Sequence, residues 1–142
     1  GEHLWLLATG TALGPFLSIL GTAAPWQRFE RVVLVHAVRR AEELSYRDRI
    51  RSLFARWAGQ FVFVPVVSRE HSDFALVGRI PKAIEDGRLE ARAGIRLEAP
   101  SSRLMVCGNP AMVADTVHAL QQRGLKTHRR RDPGQIAVEN YW

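Results

Sequence analysis

Thr9-Gly10-Thr11-Ala12-Leu13-Gly14-Pro15 sets two glycines and a proline directly after an apolar run. Such a loop lets a phosphate approach the backbone closely, and a helix opening behind it aims unpaired N–H groups at the charge. Gly10 and Gly14 are the candidate residues here. Their G-x-x-x-G spacing is neither the GxGxxG dinucleotide fingerprint nor a P-loop, and a plain strand–helix turn accounts for it equally well. Further along, Val35-His36-Ala37-Val38 runs into Arg39 and Arg40, a later apolar run ends in Ser68-Arg69-Glu70, and Gly78-Arg79-Ile80-Pro81 follows. Two arginines and a serine near one strand end can make charge-assisted hydrogen bonds to a phosphate dianion.

The position of Arg39 sharpens that chemistry. NAD-binding folds commonly place an acidic residue near the end of the second strand, where it accepts from the ribose 2′-hydroxyl. An arginine there favours a 2′-phosphate, and so NADP over NAD. Taken alone, Arg39 is equally well explained as a solvated surface residue; the company of Ser68, Arg69 and Arg79 separates the two explanations. Glu70 either opposes an anion or holds a neighbouring arginine in position.

Two further stretches draw attention. In Cys107-Gly108-Asn109-Pro110 the only cysteine sits at a strand end beside a turn and a helix start. It either packs in the core or lines a ligand cleft, and no base stands beside it in sequence to make it a nucleophile. The chain ends Val138-Glu139-Asn140-Tyr141-Trp142, where the two aromatics either plug an apolar gap or stack on a flat ring system. Histidines 3, 36, 71, 118 and 128 have no metal-ligand spacing and are expected to be structural or surface residues, so no metal site is expected.

Elements of an α/β domain must position these groups. Leu4–Ala8, Val32–Val35, Phe61–Val67, Leu104–Cys107 and a final stretch from Gln135 to Trp142 predict strands. Helices are predicted after the first loop through Ile19, over Arg47–Trp57, over Ile80–Gly87 with Pro81 in its first turn, and from Pro110 to near Gly124. Strand–helix alternation implies a doubly wound sheet of about five parallel strands with helices on both faces, whose ligands bind at the strands' carboxyl ends.

Composition bounds the rest. A chain of 142 residues with 46% apolar and 24% charged residues suits one compact domain and argues against disorder. The runs LWLLA and FVFVPVV are far shorter than the roughly 20 residues that span a bilayer, so no membrane role is expected. GEHLWLLATG lacks the basic start of a signal peptide and reads as a strand beginning at once, as if a preceding domain had been left out. One cysteine excludes an intrachain disulfide and fits a reducing cytoplasm. The net charge of +6 points to anionic partners: phosphates, nucleic acid or an acidic protein.

The segments LWLLATGTALGPFLSIL, VVLVHAVR, VVSRE, VGRIPKAIEDG, MVCGNPAMVADT and VENYW closely resemble, in order from Leu4 to Trp142, the bacterial ferredoxin (or flavodoxin)–NADP⁺ reductases. The terminal pair resembles the subclass ending in tyrosine–tryptophan. The resemblance implies a ferredoxin reductase-like NADP-binding domain over residues 1–142, in which Arg39, Ser68, Arg69 and Arg79 bind the 2′-phosphate side of NADP. It implies that Asn109, Pro110 and Ala111 form a turn contacting the nucleotide, and that Thr11, Tyr141 and Trp142 face FAD. Cys107 and Glu139 match the residues nearest the hydride-transfer site, with roles in positioning and charge. The family's FAD-binding barrel, with its Arg-x-Tyr-Ser-type motif, would precede Leu4, so the expectation is a chain that neither retains FAD nor turns over alone.

The implied activity is hydride exchange between NADPH and FAD, with single electrons passing to an acidic ferredoxin or flavodoxin, in a monomeric cytoplasmic oxidoreductase. Two alternatives stand beside it. One is an NADH-using flavin reductase that serves an oxygenase or a haem. The other is a nucleic-acid-binding module built on Arg129-Arg130-Arg131, a run that lacks interleaved aromatics and belongs to no recognisable nucleic-acid motif.

Overall fold

The structure is a computed structural model; it describes the backbone of residues 2–140 and the side chains of residues 2–138. Strands β1 (His3–Thr9), β2 (Arg31–Val38), β3 (Phe61–Val67), β4 (Leu76–Val77), β5 (Ser102–Gly108) and β6 (Ile136–Asn140) form one sheet in the order β4-β3-β2-β1-β5-β6. Every ladder is parallel.

A sheet buried on both faces needs apolar side chains at consecutive strand positions, and the sequence supplies them. Trp5, Leu7, Val33, Val35, Val64, Val66, Leu104 and Val106 point to one layer. Leu4, Leu6, Ala8, Val32, Leu34, Phe61 and Cys107, alternating with them, point to the other. Helices α1 (Leu13–Leu20), α2 (Ala24–Arg28) and α3 (Arg47–Arg56) cover the second layer through Phe16, Leu17, Leu20, Trp26 and Ile50. Helices α4 (Ile80–Glu85), α5 (Arg88–Ala93) and α6 (Pro110–Gln122) cover the first through Ile80, Ile84, Leu89 and Leu120. Burying a side chain the size of Leu120, which is wholly enclosed, stabilises the fold by about 2 kcal/mol.

The doubly wound architecture is as expected; the strand count is six rather than five. The additional strand, β4, has two residues, paired as Val66↔Leu76 and Val67↔Val77. A two-residue strand carries no periodicity for sequence to reveal. Short helices α2 and α5 were likewise not expected, and the helix expected over Ile80–Gly87 closes at Glu85, because Gly87 (φ 81°) turns the chain into α5. Among the described residues no helix is long and apolar enough to cross a membrane.

Chain direction sets where a ligand can enter. From β1 the chain winds to β2 and β3 with α1–α3 on one face, then returns across the other face to place β5 on β1's opposite side. The crevice between the carboxyl ends of β1 and β5 is therefore the point where winding reverses, the usual ligand position in such sheets.

Candidate functional site

Backbone hydrogen bonds gather the candidate loops along one rim. Gly10, left-handed at φ 57°, donates its N–H to the Ala37 carbonyl (2.9 Å), tying the first loop to the end of β2. The Ser68 N–H donates to the Val38 carbonyl (3.0 Å) and the Arg69 N–H to the Arg39 carbonyl (2.8 Å). The Gly78 N–H donates to the Val67 carbonyl (2.8 Å), which brings Arg79 to the same edge. On the other side of β1, the Asn109 N–H donates to the Thr9 hydroxyl (3.3 Å).

These loops enclose a cleft of about 350 Å³. Arg39, Ser68, Arg69 and Arg79 line one part of it, and Thr9, Gly10, Asn109 and Met112 another. Arg39, Arg69 and Arg79 are exposed, and among the described residues their guanidinium groups have no hydrogen bond or ion pair. Some arginines elsewhere are engaged, among them Arg88 with Asp86, and Arg123 with Glu90 and the Ile84 carbonyl. Three like charges sharing a cleft without a counter-charge raise its potential and favour an anion that can accept several donors at once. Among the described residues Glu70 pairs with none of these arginines and holds no other. Its carboxylate accepts from the Ala41 N–H (2.5 Å), fastening the turn after Arg40 to the end of β3.

Asn109 acts as the N-cap of α6: its Oδ1 accepts from the N–H groups of Ala111 (2.9 Å) and Met112 (3.4 Å). Pro110 and Ala111 occupy the first turn of α6 and are exposed; neither lines the cleft. Gly14 also stands apart, within α1, where a Cβ would lie 3.8 Å from the Tyr46 hydroxyl. Thr11 is exposed in the turn before α1. Cys107 is buried near the end of β5, in register with Ala8 on one side and Glu139 on the other. The side chain of Glu139, and the terminal Tyr141 and Trp142, lie outside the described residues.

Sequence reasoning passed over three contributors. Met112 and Thr9 line the cleft, and neither residue type signals a ligand. The third is His36, wholly buried beneath the first loop, whose Nε2 lies 2.7 Å from the Gly10 carbonyl oxygen. A carbonyl only accepts, so Nε2 carries the proton. Burial lowers the His36 pKa below 6.5, outweighing the opposing pull of that bond, and the ring is neutral. Its Nδ1 is buried without a partner among the described residues.

The oxidoreductase NAD-binding domain family matches residues 6–118. The flavodoxin/ferredoxin–NADP reductase of Escherichia coli (strain K12) is 46% identical over 142 residues, covering 99% of this chain and 57% of that protein. The protein of the same name from Buchnera aphidicola subsp. Schizaphis graminum is 41% identical, with 99% and 55% covered. The crystal structure of a ferredoxin NADP⁺ reductase from Neisseria gonorrhoeae with bound FAD and NADP superimposes with a TM-score of 0.92 at 41% identity, covering 100% of this chain and 57% of that one. The chain thus spans a little over half the length of the curated relatives it matches.

Proposed function

This chain belongs to the oxidoreductase NAD-binding domain family, and on that premise we propose that it binds NADP(H) and forms the nucleotide-binding part of a ferredoxin or flavodoxin–NADP⁺ reductase. The observation that carries this is the rim of Arg39, Ser68, Arg69 and Arg79, whose guanidinium groups have no counter-charge among the described residues. NADP differs from NAD by one phosphate on the adenosine ribose, and a cluster of forked donors is the chemistry that detects it. The similar Neisseria gonorrhoeae reductase contains FAD and NADP, which supports the same pair of cofactors for the enzyme to which this chain contributes.

Together the two cofactors supply hydride transfer and the subsequent one-electron steps. The chain's own residues bind and orient. Arg39, Ser68, Arg69 and Arg79 hold the 2′-phosphate, and the Gly10 loop approaches the diphosphate. Thr11, with Tyr141 and Trp142, faces the flavin, while Cys107 and Glu139 shape the packing and charge around the nicotinamide. The electron carrier is an acidic ferredoxin or flavodoxin, whose approach the net charge of +6 accelerates. The enzyme works as a monomer in the cytoplasm.

Calorimetric titration of the chain with NADP⁺ and with NAD⁺ tests this. NADP⁺ is expected to bind at least about tenfold more tightly, the equivalent of one good charge-assisted hydrogen bond. Equal affinities would overturn the assignment and favour an NADH-using flavin reductase instead.

A further inference from the structure

His36 occupies a position that packing alone does not explain. It lies on the α1–α3 face of β2, between Ala8 of β1 and Pro65 of β3, among residues that are otherwise apolar. Leucine or phenylalanine would fill such a site without burying a polar atom; histidine leaves Nδ1 without a partner among the described residues. What the imidazole gains in exchange, among the described residues, is a single hydrogen bond, to the carbonyl of Gly10.

That carbonyl belongs to the Gly10–Thr11 peptide, and the chain has no cis peptide bonds among its described residues. In a trans peptide the C=O and N–H point in opposite directions. Fixing the Gly10 oxygen inward on His36 therefore turns the Thr11 N–H away from the imidazole, and Gly10 itself lines the cleft. Thr11 N–H has no backbone partner among the loop hydrogen bonds, whereas its neighbours do: Gly10 donates to Ala37 and Ala12 to Thr9. Glycine with positive φ turns over easily, and the flipped peptide would present a carbonyl oxygen where the donor now stands.

We propose that His36 is a positioning residue that locks the Gly10–Thr11 peptide with its N–H facing the cleft, making that amide a donor to the diphosphate bridge of the dinucleotide. This rests on the NADP(H) assignment above. It adds a second anion contact, separate from the arginine rim and controlled from beneath the sheet's carboxyl end. His36 touches no ligand itself.

The experiment uses two probes on one protein: NADP⁺, which contains the diphosphate, and adenosine 2′-monophosphate, which has only the phosphate the arginines hold. His36→Leu should weaken NADP⁺ about tenfold, the size of one lost charge-assisted hydrogen bond, and leave adenosine 2′-monophosphate within twofold. His36→Gln, whose amide can still donate to Gly10, should restore NADP⁺ binding. Equal losses for both probes, or no loss for either, would overturn the proposal. In the unsubstituted chain, long-range ¹H–¹⁵N spectra should show the His36 Nε2 resonance shifting with NADP⁺ but not with adenosine 2′-monophosphate. That measurement decides the matter should the leucine variant not fold, and an unresponsive resonance refutes the lock. Failure of the unsubstituted chain to bind either probe would instead refute the nucleotide assignment.

Discussion

The Thr9 hydroxyl fills the space in which a side chain on Gly108 would begin: a Cβ built on Gly108 lies 1.9 Å from Thr9 Oγ1. Gly108 also holds φ at 147°, a conformation other residues rarely adopt. Close approach of the two strand ends at the point of reversed winding thus depends on one glycine and one hydroxyl. Gly108→Ala should destabilise the chain by about 3 kcal/mol, combining overpacking with backbone strain. Adding Thr9→Ala should recover only part of this, because Thr9 Cβ (3.1 Å) and N (3.3 Å) stay close. Urea unfolding of the single and double variants measures both effects.

Removing the guanidinium groups of Arg69 and Arg79 together should lower NADP⁺ affinity about a hundredfold, each lost contact counting for roughly a factor of ten. NAD⁺, which lacks the phosphate they are proposed to hold, should bind the double variant and the unsubstituted chain alike. Calorimetry with both nucleotides reads the difference. Unchanged NADP⁺ binding would remove these arginines from the site.

Acidity should act on stability through His36. Its folded pKa lies below 6.5, with burial as the main cause. As pH drops below about 6.5 the unfolded chain takes up a proton that the folded chain refuses, so stability falls until the folded pKa is passed. One such group changes stability by at most about 1.4 kcal/mol per pH unit. Unfolding midpoints measured between pH 7.5 and 5.5 should therefore decline more steeply in the unsubstituted chain than in His36→Gln. Asp132, held low first by the hydrogen bond from Lys126, acts in a separate window. Its contribution is present above about 3.8 and disappears as pH falls through its folded value.

Away from the cleft, Glu90 joins α5 to its surroundings. One carboxylate oxygen lies 2.6 Å from Arg123 Nη2, the other accepts from the Leu97 N–H at 2.8 Å, and the Glu90 side chain is 14% exposed. Glu90→Ala takes the counter-charge from the half-buried Arg123 guanidinium, which keeps its bond to the Ile84 carbonyl, and takes the acceptor from the Leu97 amide, and should cost about 3 kcal/mol. Glu90→Gln keeps an acceptor for Leu97 and should cost less. Neither residue lines the cleft, so NADP⁺ affinity should hold in both variants while the melting temperature drops.

The arginine rim was legible because a charged residue at the end of a buried β-branched strand contrasts with everything before it. Val32–Val35 and Phe61–Val67 announce their strands, and Arg39 and Arg69 follow within four and two residues. Thr9 and Met112 gave no such contrast; they reach the cleft through strand register and the first turn of a capped helix, which neighbouring residues do not encode. Glu70 was open to two interpretations, and its actual partner, the Ala41 amide, lies 29 positions away. His36 was visible but was classed with four other histidines, because its depth depends on Ala8 and Pro65 in adjacent strands. The elements that escaped, β4, α2 and α5, contain two, five and six residues, too few to repeat a pattern.

The hydrogen bond from Asn109 to Thr9 closes a loop of 100 positions along the chain. With every ladder parallel, no pair of strands can zip up from a tight turn, and joining β5 to β1 exacts the largest entropy of closure in the central sheet. The cleft draws its lining from both sides of that junction, so under the proposed function the nucleotide finds no foothold on a chain still searching for its topology. It should leave the refolding rate unchanged and slow unfolding in proportion to its concentration, which stopped-flow traces with and without NADP⁺ would display. In kinetic terms the proposed cofactor would guard the finished fold and do nothing to hasten its arrival.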